Sequence, residues 1–197
     1  MGRAALALIL LLAPTVTRAE AAPPRARVTA GFGAAYGAVE VAGKTGGVLG
    51  SWGALGLARG RWAIALTLDW KVWLADRGDR VDRVPTAMRA LEPRGRWAFY
   101  EARLTRGVRQ GYLELGGGWQ RIADTGGTHL DRATASVGGG FHLMVDLNAV
   151  TIGLDLAARV TAAPAATGHV GCEGRCDPPG DPIDLGAEFG FGMALGW

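Results

Sequence analysis

Lysine is almost missing from this chain. Lys44 and Lys71 are the two lysines among 21 basic residues, so arginine carries nearly all the positive charge. The formal net charge is only +3. That excess is too small and too scattered for a nucleic-acid-binding surface, and no nucleic-acid partner is expected. Long apolar runs are absent beyond residue 13. A membrane-spanning helix needs about 20 consecutive apolar residues, so the body of the chain has no candidate for one. Cysteine occurs twice, at Cys172 and Cys176. There is no phosphate-cradling glycine loop, nucleophile elbow or metal-ligand cluster of standard spacing. No cofactor and no enzymatic activity are therefore expected. No internal repeat or low-complexity tail is visible either.

The first residues read as an export signal. Arg3 supplies a positive start, Ala4 to Ala13 an apolar run, and Ala19-Glu20-Ala21 a small-x-small cleavage site. Residues 1–21 are expected to be removed, leaving 22–197 as one domain. Removal takes away Arg3, Arg18 and Glu20 and lowers the net charge by one. No cysteine follows the run, so a lipidated-cysteine anchor is not expected.

Glycine is abundant, at 32 residues, more than twice the usual share of about 7%. With the many alanines, this speaks against a core of large side chains. Polar and apolar residues alternate instead. Between Asp184 and Trp197, Leu185, Ala187, Phe189, Phe191, Met193, Leu195 and Trp197 share one face, and mostly glycine and acidic residues share the other. Period-two alternation is the mark of a strand with one apolar face. The same pattern runs through Trp62, Ile64, Leu66, Leu68, Trp70, Val72 and Leu74, against Ala63, Ala65, Thr67, Asp69, Lys71 and Trp73. It recurs over residues 135–146 and 150–160. Weaker versions cover 27–37, 97–105 and 111–122, and a glycine-rich stretch at 49–58 has ambiguous facing.

These eight segments predict an all-β fold, an up-and-down antiparallel transmembrane barrel. Short connections are expected near Arg59-Gly60, Arg106-Gly107 and Leu147-Asn148, and long ones over 39–48, 75–96, 123–132 and 161–182. Short turns at one end and long loops at the other are the habit of outer-membrane barrels. Trp62, Trp70, Trp119 and Trp197 are expected to form aromatic girdles at the two interfaces. A soluble barrel of the lipocalin type would also alternate, with its apolar residues inside. The polar face decides against it. Asp69, Lys71, Glu101, Arg103, Glu114, Asp155, Arg159 and Glu188 lie there among Gly, Ala, Ser and Thr. Small residues suit a crowded lumen, and mixed signs suit a closed interior of paired ions.

The pattern resembles the small OmpA/OmpX-type outer-membrane barrels over nearly the whole chain. The terminal Gly192-x-x-Leu195-x-Trp197 looks like the signal by which the barrel-assembly machinery recognises such proteins. The resemblance implies an outer-membrane location, contact with membrane lipids and lipopolysaccharide, and a monomer. Its implied role is structural or surface-interacting; a narrow barrel carrying small hydrophobic solutes is the alternative. His142 falls on the inward face. An outer-membrane lipid A deacylase or palmitoyltransferase would need a serine near a histidine at the outer end, whereas Leu143 and Met144 follow His142 near the inner end. A hydrogen-bonded structural histidine is the expectation. Arg77-Gly78-Asp79, in the second outer loop, has the form of an adhesion tripeptide, which a chain rich in Arg and Gly also produces by chance.

Cys172 and Cys176 enclose Glu173, Gly174 and Arg175 in the fourth outer loop. An exported chain meets an oxidising compartment, so a local disulfide is expected. The alternative is a metal site of His169, Cys172, Cys176 and Asp177, whose spacing matches no standard zinc pattern. The bridge should stabilise by no more than the low end of about 2–4 kcal/mol, because the ring is small. Alkylation of the exported protein with and without reductant, read by mass, should show no free thiol before reduction and two after. Two free thiols at the outset would reject the bridge, and stoichiometric zinc would favour the metal site.

Overall fold

Period-two alternation becomes strand wherever every backbone group can find a neighbour, and here each strand has two. A computed structural model describes residues 26–41, 44–74, 85–124, 126–147, 150–165 and 182–197. The expected signal peptide, Arg77-Gly78-Asp79, His169, Cys172, Cys176 and Asp177 lie outside the described residues. The elements are β1 (Arg27–Val41), β2 (Lys44–Arg59), β3 (Trp62–Leu74), β4 (Pro85–Leu104), β5 (Gly107–Asp124), β6 (His129–Leu147), β7 (Val150–Pro164) and β8 (Ile183–Gly196). Each pairs antiparallel with its neighbours in sequence, and β1 pairs with β8, closing the barrel. This is the eight-stranded up-and-down barrel that the alternation predicts.

The strands reach further than the sequence reading placed them. The expected outer connections at 39–48 and 123–132 are mostly strand, leaving residues 42–43 between β1 and β2 and 125–128 between β5 and β6. The expected loop 75–96 shrinks to 75–84 because Pro85 to Arg96 belong to β4. Pro93 hid that strand, since proline interrupts a sheet ladder. It stands opposite Leu66 on β3, and neither Glu92 nor Pro93 takes a register partner on β5. The contrast in length persists for the second and fourth connections, while the first is as short as the turns at the other end. At Gly60 the β2–β3 turn has φ of 60°, a conformation glycine enters without a Cβ clash.

Facing follows strictly from the register. Leu115 and Phe189 are each 67% exposed on the outside, whereas Asp69, Glu114 and Asp155 are each 2% exposed within. The barrel is thus apolar outside and polar inside, the reverse of the soluble alternative. On β2, Leu49, Leu55 and Leu57 point out, and Val48 and Trp52 point in, which settles the ambiguous segment. The Trp52 indole lies in the lumen over Gly31, Gly190 and Gly192; a Cβ at Gly192 would collide with it. Trp62, Trp70, Trp119 and Trp197 are all exposed on the outer face, whereas Trp73 packs inward against a small apolar cluster. That cluster, Val39, Val41, Val48, Met88 and Ile122, fills the long-loop end of the lumen.

An arginine placed at Leu66, Leu68, Ile152 or Leu154 should cost about 2–4 kcal/mol of folding stability in lipid vesicles, as expected near a bilayer midplane. Reversible urea unfolding of the refolded variants measures it. Costs of about 1 kcal/mol or less at all four positions would show that the stripe does not meet lipid.

Candidate functional site

The lumen is where the sequence concentrates its chemistry, because every second residue of eight strands must share a space about as wide as a side chain. β3 contributes Asp69 and Lys71, β4 Glu92, Arg94 and Arg96, β5 Tyr112 and Glu114, β7 Asp155 and Arg159, and β8 Glu188.

Arg94 sits between two carboxylates. Its Nη2 donates to Asp69 Oδ2 at 2.5 Å and to Glu92 Oε2 at 2.8 Å. Its Nε donates to Glu92 at 3.0 Å. Glu114 is the second hub. Arg96 Nε donates to its Oε2 at 2.6 Å, and Arg159 Nη2 and Nε donate to its Oε1 at 2.8 and 3.1 Å. Arg94 Nε lies 4.0 Å from the same oxygen, joining the two hubs. Arg96 continues the chain to Asp155 Oδ2 at 2.9 Å, and its guanidinium stands 4.5 Å over the Tyr112 ring. Lys71 Nζ meets Glu188 Oε1 at 2.5 Å. Towards the long-loop end Arg132 holds Asp184, the Gln120 side chain and the Pro164 carbonyl.

In the middle of the lumen Asp69, Glu92, Glu114, Asp155 and Glu188 face Lys71, Arg94, Arg96 and Arg159, one carboxylate more than the cations. Hydroxyls supply the missing donors. Tyr112 donates to Asp155 at 2.7 Å, and Thr134 and Ser136 donate to Glu92 at 3.0 and 3.5 Å. Buried ions repay their desolvation only when geometry is good and the remaining lone pairs are also bonded. Asp69 Oδ1 and Glu188 Oε2 are buried without a protein partner. An interior cavity of about 20 Å³, bounded partly by Glu188, Arg94 and Arg159, has room for roughly one water.

Six of the eight charges expected inside, Asp69, Lys71, Glu114, Asp155, Arg159 and Glu188, sit in these ion pairs. Glu101 stands apart and accepts from Gln110 Nε2 at 3.0 Å. A bulge brings it there: Ala98 faces Tyr112 while Tyr100 faces Gly111, so β4 carries one extra residue at Phe99. Glu101 thereby joins the face of Gln110, His142 and Asp155. Arg103 is a correction. It is exposed at the short-turn end and makes no ion pair among the described residues, because β4 and β5 there run past the start of β3. The sequence reading missed Glu92, Arg94 and Arg96, which it left in a loop. Their signal was the run Met88, Ala90, Glu92, Arg94, Arg96 at period two.

His142 is half-buried between Gln110 and Asp155 in the register, and its Nε2 has no partner. The two serines of the chain lie elsewhere: Ser51 is exposed outside and Ser136 is bonded to Glu92. No nucleophile stands beside a base and an orienting group among the described residues. The arrangement can lock strands to one another.

No family model matches the chain, and no curated protein matches it by sequence. Solved structures do. Neisserial surface protein A is similar with a TM-score of 0.55 at 13% identity, over 86% of this chain and 95% of that one. Ail, the attachment invasion locus protein of Yersinia pestis, gives 0.43 at 12% identity, over 87% and 98%. The N-terminal β-barrel domain of Pseudomonas aeruginosa OprF gives 0.39 at 14%, over 88% and 99%. The likeness to the first is one of fold alone, that of a closed up-and-down β-barrel.

Removing the Glu114 carboxylate tests the hubs. Glu114→Ala leaves Arg159 without a carboxylate and Arg96 with Asp155 alone, and should cost about 3–5 kcal/mol. Glu101→Ala loses one hydrogen bond of a half-buried group and should cost about 1 kcal/mol. Urea midpoints of the refolded variants check the order, and equal effects would show that Glu114 is no hub.

Proposed function

We propose that the chain is an integral outer-membrane barrel with a structural or surface-interacting role, its lumen plugged by paired charges. One observation carries this reading: an exposed apolar exterior encloses a core of ion pairs with space for about one water. Such a body is stable only where the outside is not water. Backbone groups in lipid must all be bonded internally, which a closed barrel achieves. The solved barrel of like fold is named a surface protein, and the same placement is inferred here. An export signal at residues 1–21 would deliver the chain to the outer membrane. Lipid would cover the outer stripe, with Trp62 and Trp197 towards one interface and Trp70 and Trp119 towards the other. Lipopolysaccharide would meet the long-loop end. β8, with Leu195 and Trp197 on its outer face, would present the assembly signal, and the barrel would act as a monomer.

The mature protein should fractionate with the outer membrane and migrate in detergent gels at a position that heating changes, since folded barrels resist unfolding. In planar bilayers it should show no steady conductance. Recovery as a soluble periplasmic protein would overturn the membrane reading. Steady single-channel currents would overturn the plug and favour a transport barrel.

A further inference from the structure

Towards the long-loop end, outward residues of neighbouring strands align in one polar row. Ser51 on β2 stands opposite Trp70 on β3, and Trp70 opposite Arg89 on β4. Arg89 stands opposite Arg121 on β5, and Arg121 opposite Asp131 on β6. All of these side chains are exposed on the outside of the barrel. The next row inward along the strands is Leu68, Leu91, Trp119 and Ala133. From there to Trp97 on β4 and to Gly111 on β5, the outward positions are leucine, tryptophan, proline and glycine, with no charge. The polar row is therefore the edge of the apolar stripe on this side. Trp97 lies eight positions beyond Arg89. At about 3.3 Å per residue and a tilt of about 40°, that is roughly 20 Å along the barrel axis, close to the about 25 Å height of an outer-membrane apolar band.

Arg89 and Arg121 are direct cross-strand neighbours on one face, with Cβ atoms about 5 Å apart. Like charges so placed repel. Asp131 offsets one of them, since Arg121 Nε and Nη2 donate to its two carboxylate oxygens at 2.7 and 2.8 Å. Arg121 Nη1 and the whole Arg89 fork then have no acceptor among the described residues, and Asp131 is the one acidic side chain on the described outer faces of β3 to β6. An unpaired arginine alone would mark nothing, because Arg59 and Arg103 are also exposed without an ion pair among the described residues. Those two lie at separate turns, whereas Arg89 and Arg121 adjoin on one strand face, at the end of the apolar stripe and beside Trp70.

We infer that Arg89 and Arg121 form a site for the phosphomonoester of an outer-leaflet lipid headgroup, with Trp70 and Trp119 setting its depth. A phosphomonoester carries about −1.5 to −2 charges at neutral pH and three acceptor oxygens. The Arg89 fork would take two of them and Arg121 Nη1 the third. A phosphodiester has two free oxygens and a single charge, so it satisfies the pair less well. Tryptophan places its ring at headgroup level, with the apolar body towards the chains. A soluble anion would not need the adjoining tryptophans. This inference rests on the membrane reading above and names a ligand class for the long-loop end.

The test uses the refolded protein in phosphatidylcholine vesicles with a spin label on either phosphatidic acid, a monoester, or phosphatidylglycerol, a diester. The fraction of label immobilised at the barrel gives the relative affinity. Wild type should favour the monoester over the diester roughly fivefold at low salt, the scale of one basic residue near an anionic surface. Higher salt should erode the preference. R89Q/R121Q should insert and show heat-modifiable migration like wild type, yet lose the preference. R89Q alone, which keeps the Arg121–Asp131 pair, should lose most of it. R103Q/R106Q, altered at the other end, should keep it. Wild type with no monoester preference, or R89Q and R89Q/R121Q with it intact, would overturn the inference while leaving the barrel standing. Its loss in R103Q/R106Q would do the same. Arginine-dependent capture of free glycerol phosphate, with no lipid preference, would assign the pair to a soluble anion and also overturn it. Wild type that enters no vesicle would overturn the membrane reading itself.

Discussion

The ladder between β1 and β8, running from Thr29 opposite Gly196 to Val39 opposite Gly186, turns an eight-stranded sheet into a tube. Closure removes both sheet edges, which in lipid could find no hydrogen-bond partner. It also sets the bore. Eight strands leave a lumen that side chains fill, so each inward position is constrained by those across the tube as well as by its strand neighbours. The glycines beneath Trp52 and the hydroxyls beside Glu92 follow from that confinement.

Confinement also explains why the charges form hubs rather than isolated pairs. A carboxylate buried in a narrow tube needs several donors, and one arginine can serve two carboxylates from different strands. Arg94 ties Asp69 on β3 to Glu92 on β4, and Arg96 ties Glu114 on β5 to Asp155 on β7. The lumen is stratified along its axis. Ion pairs occupy the middle, and the cluster around Met88 and Ile122 fills the long-loop end. A polar interior and an apolar exterior coexist because lipid, unlike water, gives no reason to bury leucine and every reason to hide charge. The scarcity of lysine fits this interior, since a guanidinium fork bridges two oxygens where an ammonium offers a point charge.

Much of this was readable from the residues. The facing of β3, β7 and β8 was legible because their alternation is unbroken, and a period-two stripe has one possible phase. β2 was illegible in phase because glycine occupies both faces. The first half of β4 was hidden by Pro93 and by the outward Arg89, which break the stripe without breaking the strand. The bulge at Phe99 is a further limit, since one extra residue changes the parity of everything after it and only the register of the neighbouring strand reveals it. The sequence by itself determined the alternation, the strand count and the inside-out polarity, because these depend on residue type at spacing two. Tertiary structure alone decided which charge meets which, that Glu92, Arg94 and Arg96 join the lumen, and that Arg103 stands outside it. Those outcomes depend on the shear of a closed barrel, which brings together residues from strands far apart in the chain.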